Sequence, residues 1–392
     1  MLETNFVSLG DLTPGEFLER YWQKEPLLIR QAIPGFCCPL DPDGLAGLAC
    51  EPEADARLIL ERGADPPWQL LRGPFDEEEF ERLPETHWSL LVRDVNRFVP
   101  EIADLMDRFR FVPDWRLDDV MISYAAPQGS VGAHIDSYDV FLLQGLGRRR
   151  WEIGSRVEDP ALVPGLDVRI LSDFRPDRSW VLEPGDMLYL PPGVPHHGVA
   201  LDPCMTLSIG FLAPSRSELL SSWLCHYLEA TGQDSRYSDP GLSPQEAPGE
   251  ITAQTLDRME AMLAGAPMDR ALLGPWLGCF LTRSRPGPGP EPAEPPHDEA
   301  DWRQALEEVG CLRRSEGVRM AFLREGDRAR LFVDGEARVL EPDLAPAAGL
   351  LTGSRTLSAE ALAPWLGRPG FPDLLVELTN SGYFYFPGEE ED

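Results

Sequence analysis

Between about residues 115 and 212 the chain is a succession of short apolar runs cut by glycine and proline: DDVMISYAA, DVFLLQGLG, RRWEIG, SWVLEPGD, MLYLPPG, HHGVAL and CMTLSIGFL. The runs are of strand length, and Pro184-Gly185 and Asp202-Pro203 supply turn signals between them. This texture predicts antiparallel strands of a sandwich or barrel. The flanks differ. TPGEFLERYW predicts a helix with Thr13 as N-cap, Pro14 at N1 and Glu16 at N3, a capping box. The rest of the first hundred residues mixes short helical patterns with loops. After Pro214, Ser215 with Glu218 three residues on opens a helix through SRSELLSSWLCHYLEA, and ITAQTLDRMEAMLAG predicts another. GQDSRYSDPGLSPQEAPGE between them is loop-like, and SRPGPGPEPAEPPHD (284–298) is an extended linker. Beyond it come a helix near 299–309, strands near 318–324, 329–333 and 336–340 with an Asp334-Gly335 hairpin turn, and helices near 358–366 and 372–380. The class is α+β. The expected organisation is a strand-rich domain over 1–213 with an N-terminal helical extension, a helical region over 214–283, the linker, and a winged-helix-like domain over 299–392.

A chain of 392 residues is too long for one core, so two or three domains are expected. Its formal net charge of -31 repels phosphate backbones, which argues against a direct nucleic-acid ligand and for a basic partner. Lys24 is the single lysine, so the cations are arginines. From Glu299 onward there are 10 Arg and 18 Asp or Glu, a poor composition for a nucleic-acid-reading wing. No apolar run approaches 18 residues and MLETNFVSLGDL lacks signal-peptide character, so no membrane span and a cytoplasmic location are expected. Seven scattered cysteines without a CxxC pair predict reduced, structural thiols. Trp22, Trp68, Trp88, Trp115, Trp151 and Trp180 read as core or rim aromatics, His226 as a packed or surface histidine, and GEEED as a solvated tail.

Of six histidines, His134, His196 and His197 fall in the strand-rich region. His134-Ile135-Asp136 is a His-x-Asp; on a strand, positions i and i+2 share a face, so imidazole and carboxylate can reach one ion. His196 follows PPGVP, sixty positions after Asp136, and supplies a third ligand from another strand. Two histidines and one carboxylate leave three coordination positions open, the facial triad of non-haem Fe(II) oxygenases. A catalytic zinc could use the same set but would need no oxo-acid anchor. Arg148-Arg149-Arg150 opens the strand RRRWEIG, and alternation turns the middle one away from its neighbours, so one of the three can face inward. A buried arginine beside iron needs a carboxylate, and 2-oxoglutarate carries a suitable one.

HIDSYDVFLLQGLGRRRWEIG, LEPGDMLYLPPGVPHHG, WSLLVRDVNRFVPE and, near the end, NSGYFYF resemble the bacterial JmjC ribosomal oxygenases, arginine hydroxylases of a large-subunit ribosomal protein. The resemblance implies a double-stranded β-helix (JmjC, cupin-like) catalytic domain, a helical dimerisation region giving a homodimer, and a winged-helix-like C-terminal domain. It implies Fe(II) on His134, Asp136 and His196, with 2-oxoglutarate and O2 as cosubstrates. It places the 2-oxoglutarate carboxylate on Arg149, helped by Ser123, and puts Thr206 near the cosubstrate where relatives carry asparagine. His197 becomes a rim residue. The implied reaction is C3 hydroxylation of an arginine in a basic large-subunit ribosomal protein, with Asp139 a candidate guanidinium partner, although alternation from Asp136 turns it away from the metal. Rival readings are a JmjC demethylase or RNA hydroxylase with the same iron site, and a cupin-like metal-binding sensor without catalysis.

Overall fold

The computed structural model describes all residues except 1–5, 62, 64–66, 158, 233–235, 237, 239–251, 265–269, 285–288 and 389–392. Most of the loop expected over 232–250 and of the acidic tail therefore lies outside the described residues.

The first hundred residues contribute strands as well as helices: β1 (Leu27–Ile29), β2 (Ala56–Glu61), β3 (Trp68–Arg72) and β4 (Trp88–Val92). The helical reading of this segment was incomplete for a physical reason. Leu58, Ile59 and Leu60 are all buried, so β2 is covered on both faces and lacks the period-2 alternation that marks a strand. The expected helix is present as Pro14–Arg20, with Thr13 Oγ1 accepting from Glu16 N–H (3.3 Å) and Glu16 accepting from Thr13 N–H (2.8 Å). It holds Phe17, fully buried, edge-on to Tyr189 at 5.0 Å between ring centroids.

The seven apolar runs form β5 (Leu117–Ala125), β6 (Val140–Leu146), β7 (Arg149–Ile153), β8 (Arg178–Leu182), β9 (Met187–Leu190), β10 (His196–Ala200) and β11 (Cys204–Phe211). Every pairing among β1–β11 is antiparallel. One sheet of eight runs β1-β9-β6-β11-β5-β4-β2-β3, and a sheet of three runs β10-β7-β8. Val140, Leu142, Leu188 and Leu190 of the large sheet pack on Trp151, Ile153 and Leu182 of the small one, as expected for a double-stranded β-helix. Within β7, Arg149, Trp151 and Ile153 point into this core and Arg150 and Glu152 point out.

The described residues fall into two compact units that do not follow chain order. One comprises 1–213, 284–319 and 350–392; the other comprises 214–283 and 320–349. In the first, the helix Glu299–Val309 and the helix Phe371–Asn380 accompany a small sheet of β12 (Cys311–Arg314) with two further short strands. Trp302, fully buried, donates from Nε1 to Thr379 Oγ1 at 2.9 Å. In the second, the helices Arg216–Thr231, Ala253–Ala264 and Arg270–Thr282 accompany β13 (Met320–Glu325), β14 (Arg328–Val333) and β15 (Glu336–Leu340). Asp334 and Gly335 both take positive φ, as a two-residue hairpin turn requires. A Cβ on Gly278 would sit 2.3 Å from the Phe332 ring, so glycine lets the sheet close on the helix.

Candidate metal centre and cosubstrate pocket

His134 and Asp136 do not lie on a strand. His134 makes an isolated antiparallel bridge with His196, exchanging two backbone hydrogen bonds of 2.9 Å, and Asp136 follows in irregular chain. The bridge brings the two imidazoles to 4.2 Å between centroids. Asp136 Oδ2 is 3.5 Å from His196 Nε2 and 3.9 Å from His134 Nε2. Among the described residues this is the one His/Cys/Asp/Glu cluster able to hold a metal, its ligand atoms all within 4.8 Å of one another. Both histidines are oriented alike. His134 Nδ1 lies 3.0 Å from the Gly132 carbonyl and His196 Nδ1 3.0 Å from that of Val194. A carbonyl can only accept, so each Nδ1 carries the proton and each Nε2 presents a lone pair to the site. Burial, then the proximity of His134, pushes His196 down to about 4, so it is a neutral ligand at physiological pH.

Register resolves the arginine triplet. Arg148 pairs with Asp202 at 2.8 Å and Arg150 lies 3.5 Å from Glu152, both on the outer surface. Arg149 is 2% exposed and reaches Ser123 Oγ (3.2 Å), Thr206 Oγ1 (3.4 Å) and the Gly198 carbonyl (3.5 Å), with no carboxylate among the described residues paired to it. Its Nε has no partner, and burial lowers its pKa. An unpaired guanidinium in a low-dielectric site costs several kcal/mol, so the site is built for an anion. Thr206 also donates to Gln144 Oε1 at 3.1 Å, which fixes its hydroxyl.

The triad and Arg149 line one cavity with Trp151, expected as a core or rim aromatic, and with residues the sequence did not mark: Arg93, Asp119, Met121, Tyr138 and Ser208. Alternation could have found several of them, since Met121 and Asp119 precede Ser123 at two-residue steps and Ser208 follows Thr206. Asp119 is buried and takes Arg93 Nη2 at 3.2 Å. Gly198 is a second omission. A Cβ there would lie 2.8 Å from Arg149 Nε and 2.8 Å from the Trp151 ring, so only glycine leaves room for the anchor.

Asp139 is not available to a substrate. It is fully buried, accepts from Tyr189 Oη (2.6 Å) and Gln23 Nε2 (3.0 Å), and pairs with Arg116 at 3.1 Å. Asp139 lies in irregular chain just before β6, so its inward direction is set by these core partners and not by strand alternation from Asp136. His197 points away from the triad toward Glu152 (3.6 Å) and Phe174. His226 packs beside Trp223. All seven cysteines are free, and among the described residues no helix is long and apolar enough to cross a membrane.

Two family models match the chain, a JmjC domain over residues 104–219 and a ROXA-like winged helix over 265–385. The ribosomal protein uL16 3-hydroxylase of Escherichia coli (strain K12) is 39% identical over 373 residues, covering 95% of this chain and 97% of that protein. The X-ray structure of Escherichia coli ycfD superposes with a TM-score of 0.84 at 38% identity, over 96% of this chain and 98% of that one. The same ribosomal oxygenase in complex with cobalt and 2-oxoglutarate gives 0.82 at 38% identity, over 96% and 99%.

Proposed function

This chain belongs to the JmjC ribosomal oxygenases, and from that premise we propose that it is an Fe(II)- and 2-oxoglutarate-dependent hydroxylase of the ribosomal protein uL16. The observation that carries the reading is that two histidines, one carboxylate and a buried arginine lacking a counter-ion line a single cavity. The donor set fits the metal: two neutral imidazoles and one carboxylate, leaving positions for an oxo-acid and O2. His134, Asp136 and His196 hold Fe(II). Arg149, with the Ser123 and Thr206 hydroxyls, holds the carboxylate of 2-oxoglutarate remote from the metal. Bound together, Fe(II), 2-oxoglutarate and O2 supply the oxidation that inserts one oxygen atom into an unactivated C–H bond and releases succinate and CO2.

The chain's own residues bind and orient. The Gly132 and Val194 carbonyls keep the imidazoles in the ligating tautomer. Met121, Val140, Leu142 and Trp151 line the cavity with apolar surface that excludes water around the reacting groups. The cavity reaches from buried Arg149 to Tyr138, which is 42% exposed, so a substrate side chain can enter from that side. On this reading the residue hydroxylated is an arginine of uL16, at C3, a cation suited to an acidic chain. The acidic surface steers a basic ribosomal protein toward the site and disfavours direct RNA contacts, and such a substrate sets the work in the cytoplasm. A complete ligand set beside an unsatisfied anchor favours catalysis over a sensor role. We assign residues 1–213 to the catalytic domain, 284–298 to the linker and 299–392 to the winged-helix-like domain, whose strands within 320–349 group with the helices of 214–283, the region we assign to dimerisation. Leu220, Leu224 and Leu228 stand exposed at i, i+4 and i+8 of one helix, an apolar stripe suited to a second copy.

The test is an intact-mass measurement of uL16 after incubation with the Fe(II)-loaded protein, 2-oxoglutarate and O2. The mass of one added oxygen, absent without 2-oxoglutarate and absent with Asp136→Ala, is expected. Turnover of 2-oxoglutarate with uL16 unchanged in mass would contradict the substrate.

A further inference from the structure

Among the described residues three arginines are less than a tenth exposed: Arg149, Arg314 and Arg355. Arg149 belongs to the pocket above, and Arg355 pairs through Nη2 with Asp107 at 3.1 Å. Arg314 has the signature of Arg149, more severely. It lies on β12 with its side chain on the same buried face as Leu312, 5% exposed, and among the described residues no carboxylate pairs with its guanidinium, Asp107 and Asp114 being taken by Arg355 and Arg110. Its Nε is buried without a hydrogen-bond partner, and so is Nε of Arg355. The two residues are joined through the backbone, Arg314 N–H donating to the Arg355 carbonyl at 2.8 Å.

The surroundings offer little relief. Arg110 is committed to Asp114 through Nε (2.8 Å) and to the Gly353 carbonyl through Nη1 (2.9 Å). Arg355 spends Nη2 on Asp107 and Nη1 on the Glu316 carbonyl at 3.4 Å. Three guanidiniums thus face two carboxylates. Burial, then the charge of Arg355, pushes Arg314 down to about 9. Water could satisfy the two orphaned N–H donors but could not balance the charge; an anion does both. Donors from two separate side chains suit an oxyanion with acceptors in more than one plane, whereas a carboxylate matches the fork of a single guanidinium. None of these residues lines the metal cavity.

We propose that Arg314 and Arg355 form a second oxyanion site, which takes a small tetrahedral anion of the phosphate class and ties β12 to the segment 107–114 and to the turn at 353–355. The test uses the full-length chain and inorganic phosphate, against chloride at matched pH and ionic strength. In the wild type, phosphate raises Tm by about 1–2 °C when well above its dissociation constant, and the protein broadens the phosphate phosphorus resonance. Arg314→Met removes a buried charge, so it leaves Tm in chloride undiminished and abolishes the phosphate response. Arg149→Met retains that response, which separates the site from the cosubstrate pocket. Arg355→Lys keeps a cation opposite Asp107 but loses the Nε–H donor, and weakens phosphate about tenfold; it decides the matter should Arg314→Met fail to fold. No broadening and no Tm response in the wild type, or a response that survives both Arg314→Met and Arg355→Lys, overturns the proposal.

Discussion

At the residue scale the site depends on what is omitted as much as on what is present. Gly198 makes room for Arg149, and adding one methyl group there drives a Cβ into the guanidinium and the Trp151 ring. Gly198→Ala is therefore expected to raise KM for 2-oxoglutarate about tenfold, the effect of losing roughly 1.4 kcal/mol of binding, while Fe(II) affinity is unchanged; steady-state kinetics with an independent iron titration check this. The ligands themselves were legible in the sequence because His-x-Asp and a distant histidine are unusual chemistry in a strand-rich segment. By alternation Arg149 was legible only as one of three; the family resemblance singled it out, and the outward pairs of Arg148 with Asp202 and Arg150 with Glu152 leave it as the inward residue. Gly198 was invisible for a simple reason: a strand glycine reveals its purpose only when the neighbour that needs the space is known.

At the scale of elements, the turn before β9 deserves a quantitative test. Asp186 accepts from the backbone N–H groups of Gln31 (2.9 Å) and Glu183 (3.1 Å) and pairs with Arg30 at 2.6 Å, tying β1 to the turn. Burial alone would raise its pKa, but these donors outweigh it and hold the carboxyl below its usual value. A carboxylate with a depressed folded-state pKa stabilises above its unfolded value near 3.9 and loses that contribution as pH falls through the lower folded value. Asp186→Asn is expected to cost about 2 kcal/mol near neutral pH, with the gap from wild type closing below about pH 4; urea unfolding across pH measures both. The capping boxes at Thr13 and Ser215 were readable because each needs only a local pattern of four residues. The helix Arg270–Thr282 was not, since Gly274, Pro275 and Gly278 interrupt the pattern and tertiary packing of Gly278 on Phe332 holds it. Strand β2 escaped for a different reason: burial on both faces erases alternation, and its role is evident only from its pairing with β4, which pairs in turn with β5.

At the scale of the whole molecule, the proposed partners rest on acidity and on the leucine stripe. If the helix Arg216–Thr231 pairs with a second copy, Leu224→Asp places a charge in that interface and should halve the mass seen by sedimentation equilibrium; an unchanged mass would remove this stripe from the interface. The order of segments along the chain was legible from composition, but the grouping of β13–β15 with the preceding helices was not, because it depends on contacts between segments about fifty residues apart. The central claim is that His134, Asp136, His196 and Arg149 make one site, and it can be tested without any substrate protein. Anaerobic titration of the Fe(II)-loaded chain with 2-oxoglutarate should develop a visible metal-to-ligand charge-transfer absorption that saturates near one equivalent. Arg149→Met should need at least about tenfold more 2-oxoglutarate to reach it, and Asp136→Ala should not develop it. A band that forms with unaltered affinity in Arg149→Met, or no band in the wild type with iron bound, would contradict the account.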